Sequence, residues 1–149
     1  MKTKKNIETE IIINTSKNEI WKVLVDLKNH ENWNPFMIKS EGEAKVGTRL
    51  KNTMKNGEKE MVFKPKVLVS EINEHFEWLG HLFIPGLFDG RHYFKLETVE
   101  AGKTKLIHGE YFSGLLSSII LKSIRENTKQ GFIAMNEALK RKVEQNQLS

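Results

Sequence analysis

Cysteine is absent from the chain. Disulfides, thiolate metal sites and cysteine nucleophiles are thereby excluded, and the absence fits an intracellular protein. Long apolar runs are missing too, so no segment reaches the roughly 20 residues a membrane-spanning helix needs. The lysines at positions 2, 4 and 5 are not followed by the apolar core of a signal peptide, and the expected location is the cytoplasm. No nucleophile elbow, phosphate loop, dinucleotide fingerprint or HExxH string occurs. That lowers the standing of most enzyme classes. A cyclase or dehydratase survives, because it can work by cavity shape and one acid–base group. Proline is sparse, with three in 149 residues, and there is no repeat, linker or low-complexity block. The chain reads as one domain over residues 1–149.

What is present is ordinary for a globular chain: 38% hydrophobic and 29% charged residues. The net charge of +5 reads as a solvated basic surface. No basic stripe interleaves with aromatics, so no nucleic-acid partner is expected. Stable membrane insertion is not expected either, although a weak attraction to anionic membrane surfaces stays open.

Residues 7–14 are isoleucine-rich and read as a strand. Ser16 and Glu19 have the spacing of a capping box. The helix they open would place Ile20, Val23, Leu24 and Leu27 on one face, and a second short helical turn precedes the break at Trp33-Asn34-Pro35-Phe36. Strands then accumulate: 37–41, 48–54, a long one over 60–70 with Pro65 as a bulge or edge, 72–79, and a hairpin of 91–97 with 104–112. Asn56-Gly57 is a hairpin turn signal. After Gly114 the period changes to 3.6, with Ile120, Ile124, Thr128, Phe132, Met135, Leu139 and Val143 in one stripe, predicting a helix over 115–144. Gly131 interrupts it, for close packing against the sheet or for ligand room. The expected fold is α+β: a curved antiparallel sheet of six to seven strands wrapped around a long C-terminal helix, with two short helices after the first strand. Such a helix grip often leaves a cavity, the default place for a ligand.

Several strings in this order resemble the START-like or Bet v 1-like superfamily, in its bacterial SRPBCC, polyketide cyclase/dehydrase-like branch. They are WKVLVD at 21–26, WNPF at 33–36, WLGHL at 78–82, PGLFDGRHYF at 85–94, HGEYFSG at 108–114, and the helix over 132–140. The resemblance implies a hydrophobic ligand cavity. It does not imply one activity, since members bind lipids, hormones or polyketides and some are enzymes.

The last hairpin carries the candidate chemistry. His92, Phe94 and Leu96 share one strand face, as do Leu106, His108, Glu110 and Phe112. Facing a cavity, the two histidines and the glutamate would satisfy one another, anchor a polar ligand group, or do acid–base work. They lack a third visible ligand for a metal, and neither metal nor cofactor is expected. Aromatic and apolar residues complete the candidate ligand-binding set: Trp33, Phe36, Phe63, Trp78, Phe83, Leu87, Phe94, Phe112 and Phe132. The apolar loop 82–88 reads as a lid beside Trp33 and Phe36, or as a membrane or protein contact. The favoured function is binding of a small hydrophobic, lipid- or polyketide-like molecule, as carrier, sensor or sequestering module, in a monomer or homodimer. The alternatives are an enzyme using His108 and Glu110 with His92, and a surface-docking module acting through loop 82–88. Of these, a binding protein is favoured over an enzyme.

Overall fold

A computed structural model describes residues 5–148. β1 (Asn6–Ile13) is followed by the short helix α1 (Lys17–Leu24) and a 3-10 helix at Leu27–Asn32. α1 buries Ile20, Trp21 and Leu24. Its capping box does not form: Ser16 has an extended N-cap backbone but makes no side-chain bond, and Glu19 pairs with Lys22 instead.

The remaining strands are β2 (Met37–Glu41), β3 (Lys51–Asn56), β4 (Lys59–Phe63), β5 (Lys66–Glu71), β6 (His75–His81), β7 (Asp89–Glu100) and β8 (Lys103–Ser113). The long strand expected over 60–70 is two strands. Pro65 has no N–H to give a ladder, and pairing breaks there. One strand more than the expected upper number therefore forms. They lie in an antiparallel five-stranded sheet of order β1-β8-β7-β6-β5 and a three-stranded sheet β2-β3-β4. The sheets join where the Leu50 amide donates to the Pro65 carbonyl and the Val67 amide to the Thr48 carbonyl. Ile72, expected to open a strand, lies exposed in the β5–β6 turn, where Asn73 takes a left-handed φ of 66°.

α2 (Ser117–Leu148) runs 32 residues and packs against β1, β8 and β3. Its buried stripe includes Leu121, Thr128, Phe132, Met135, Leu139 and Val143. Gly131 lies where any side chain would collide with the Phe36 ring. The close packing expected of this glycine is therefore present, but its partner is the segment entering β2 rather than the sheet itself. Among the described residues, no helix is long and apolar enough to cross a membrane.

Candidate ligand cavity and its polar corner

The WNPF string builds one wall. Asn34 Oδ1 accepts the amides of Phe36 and Met37, each at 2.9 Å. Asn34 Nδ2 donates to His30 Nδ1 at 3.1 Å, and His30 Nε2 donates to the Leu24 carbonyl at 2.8 Å. Burial holds the His30 pKa down at about 4, so the ring is neutral and makes one donor and one acceptor bond. The turn thereby fixes Phe36 over Gly131 and edge-on to Phe132, 5.4 Å between ring centroids.

Phe36, Trp78, His92, Phe94, His108 and Phe132 fill the space between sheet and helix. Trp78 stacks on His92 at 4.7 Å, and His108 stacks on Phe132 at 4.3 Å. The wrap therefore leaves only a small cavity of about 40 Å³ at the edge of this cluster. It is bounded by Met54, Phe63, Gly80, His81, Leu82, Phe88, Gly90, His92, Glu110, Phe112, Ile124 and Thr128. That is room for a few waters.

A chain of hydrogen bonds runs from the helix to this cavity. The Thr9 hydroxyl donates to the His108 carbonyl at 2.9 Å, so its oxygen accepts from Asn136 Nδ2 at 2.8 Å. Asn136 Oδ1 is then the acceptor for His108 Nδ1, at 2.7 Å. His108 is fully buried, and desolvation followed by the proximity of His92 lowers its pKa well below the usual histidine value. A neutral ring has one N–H, and His108 spends it on Asn136. Its Nε2 must accept, so His92 Nε2 donates across 2.7 Å. The remaining nitrogen, His92 Nδ1, lies 3.4 Å from Glu110 Oε1. His92 is buried, whereas Glu110 keeps partial access to solvent. A β-carbon at Gly90 would run into the Glu110 carboxylate, so the glycine leaves the carboxylate its place.

Loop 82–88 borders the cavity through its two ends, Leu82 and Phe88. Asp89 holds it: one carboxylate oxygen meets His81 Nδ1 at 2.6 Å and the other accepts the Gly86 amide at 3.0 Å.

Of the residues singled out from the sequence, Phe63, His92, Glu110 and Phe112 line the cavity. Phe36, Trp78, Phe94 and Phe132 stand behind it in the aromatic cluster. His108, expected to point into the cavity, is sealed behind His92 and supports it. Trp33 packs on His30 and borders a separate groove with Val23 and Lys142, because the Asn34 turn sends Phe36 inward and leaves Trp33 outside. Of the expected lid, Leu82 and Phe88 border the cavity, whereas Phe83 points to solvent and Leu87 is not among the walls. Ile124 and Thr128 were visible in the helical stripe, with Thr128 its one hydroxyl. Asn136 and Thr9 had no sequence signal, since their partnership spans 127 positions.

No family model and no curated protein matches this sequence. Solved structures do match in shape. The Zhui aromatase/cyclase from Streptomyces sp. R1128 superposes with a TM-score of 0.75 at 13% identity, covering 93% of each chain. A START superfamily protein from Mycobacterium smegmatis gives 0.73 at 16%, covering 94% of this chain and 97% of that one. Norcoclaurine synthase from Thalictrum flavum, solved with dopamine and hydroxybenzaldehyde, gives 0.72 at 19%, covering 95% and 87%. This chain has the helix-grip fold of the START/Bet v 1-like proteins.

Proposed function

We propose that this chain binds a small, mostly apolar molecule whose hydroxyl-like end meets Glu110 and His92. One observation carries the reading: among mostly apolar walls the cavity brings Glu110 and His92 together, and the His108–Asn136–Thr9 chain orients the His92 ring from behind. Glu110 offers an acceptor, and Thr128 from α2 adds a hydroxyl. Apolar burial gives affinity and the corner sets orientation. A guest larger than a few atoms enters by moving the unbranched Met54 side chain and loop 82–88. The presence of two hydroxyl-bearing aromatics in norcoclaurine synthase, which has the same fold, supports this class of guest.

The test is a titration with 1-hexanol followed by amide NMR. Shifts are expected at Phe112, Ile124 and Thr128. Gly90→Ala displaces the flexible Glu110 carboxylate rather than the backbone, so it should weaken hexanol about tenfold, the worth of a hydrogen bond to a charged group, with little change in melting. Unchanged affinity in that variant would remove the polar corner from the account.

The His92–Glu110 contact also supports a second reading, an acid–base enzyme in which Glu110 and His92 exchange a proton with the guest and His108 holds the His92 tautomer. Glu110→Gln would then abolish turnover of a candidate substrate while leaving its binding largely intact.

A further inference from the structure

We propose that the end of the molecule formed by loop 82–88 and the start of α2 docks reversibly on the surface of an anionic lipid bilayer. Phe83, Ile84, Leu115 and Ile119 are 60%, 66%, 82% and 73% exposed. Single exposed apolar side chains are common on soluble proteins, but a contiguous group marks an interaction surface. These four are contiguous. The Leu115 amide donates to the Gly86 carbonyl at 2.8 Å and the Leu116 amide to the Leu87 carbonyl at 2.9 Å, stitching the loop to the helix start. Ile119 follows in the first turn of α2.

Charge selects the partner. Beside this patch, Lys5, Lys122 and Arg125 line a surface groove with Ser118 and Leu121, and no carboxylate lines it. The first turn of α2 has no acidic residue, so the positive end of the helix dipole is not offset there. Of the nearby carboxylates, Asp89 is held by His81 and Gly86 and Glu110 lies at the cavity. Glu8 and Glu126 border the adjoining groove on the far side of Arg125, where they accept from Tyr93 and Gln130. Arg125 also donates to the Asn6 carbonyl, so Lys5 and Lys122 carry most of the basic flank. An apolar tip with a basic flank matches the acyl boundary and phosphate layer of an anionic membrane. A second copy of the chain fits less well, because a two-fold pairing would bring this basic flank against itself. The two ends of the same loop border the cavity, so docking would place that side of the cavity at the lipid.

Co-sedimentation of the full chain tests this, using vesicles of phosphatidylcholine alone and of equal parts phosphatidylcholine and phosphatidylglycerol. Binding to the mixed vesicles is expected, weakened by added salt. Lys122→Ala should lose about fivefold. The combined change Phe83→Ser, Ile84→Ser and Ile119→Ser should lose more than about tenfold, with an unchanged circular-dichroism melt because these side chains are exposed. Equal binding by the triple variant, or none to either vesicle, would overturn the proposal. So would a dimer in light scattering that the triple variant converts to monomer, since a second copy would then be the occupant.

Discussion

His30 and His108 are buried, neutral rings, and both hold a wall in place rather than face a guest. His30 carries the Asn34 turn beneath Phe36, and His108 fixes the donor nitrogen of His92. Neutral burial has a consequence in acid. The folded pKa of His30, about 4, lies below its ordinary 6.5, and that of His108 is also depressed. As pH falls through about 6.5, the unfolded chain takes up protons that the folded chain refuses, so stability drops by about 1.4 kcal/mol per pH unit for each ring. The loss continues toward the folded pKa values. Urea midpoints should therefore fall markedly between about pH 7 and about pH 5; equal midpoints would mean that these rings accept protons while folded. Strand parity was enough to place His92 and Glu110 on the cavity side from sequence. It gave His108 the right face as well, but a face is not a position along the strand, and His108 lies behind His92 rather than at the cavity. Ring packing against Phe94 and Phe132 decides that position.

Among the elements, the segment 33–37 and the middle of α2 form a single joint. Gly131 is present because the Phe36 ring occupies the place of its side chain. Alanine would gain about 1 kcal/mol of helix propensity but would force the ring aside in a packed cluster, at about 1–3 kcal/mol. Gly131→Ala should therefore lower stability by about 1 kcal/mol, and by no more than about 2, read as a reduced urea midpoint, and a stabilised variant would show that Phe36 has room to move. Periodicity made α2 and the last hairpin legible, because both have one strongly apolar face over many residues. Two local signals misled. The Ser16–Glu19 spacing matched a capping box, yet the pairing of Glu19 with Lys22 took its carboxylate. The apolar character of residues 60–70 ran through Pro65, where the missing N–H ended one strand and began another.

At the scale of the whole molecule, element order alone indicated a helix grip, and the structure has that fold. The volume left inside was not legible. It depends on which rings meet across the wrap, and six of them meet here, leaving only the small cavity at their edge. The central claim is that this cavity takes an apolar guest by its length and a hydroxyl by its polar corner. The most direct measurement is the affinity of straight-chain alcohols from butanol to octanol, alongside the carboxylic acids of equal length, by amide NMR. Affinity should rise about fourfold per added methylene, with shifts at Phe112, Ile124 and Thr128, and each carboxylate should bind more weakly than its alcohol because Glu110 already occupies the corner. An affinity independent of chain length, or shifts confined to the separate surface groove lined by Val46 and Ile72, would contradict the account.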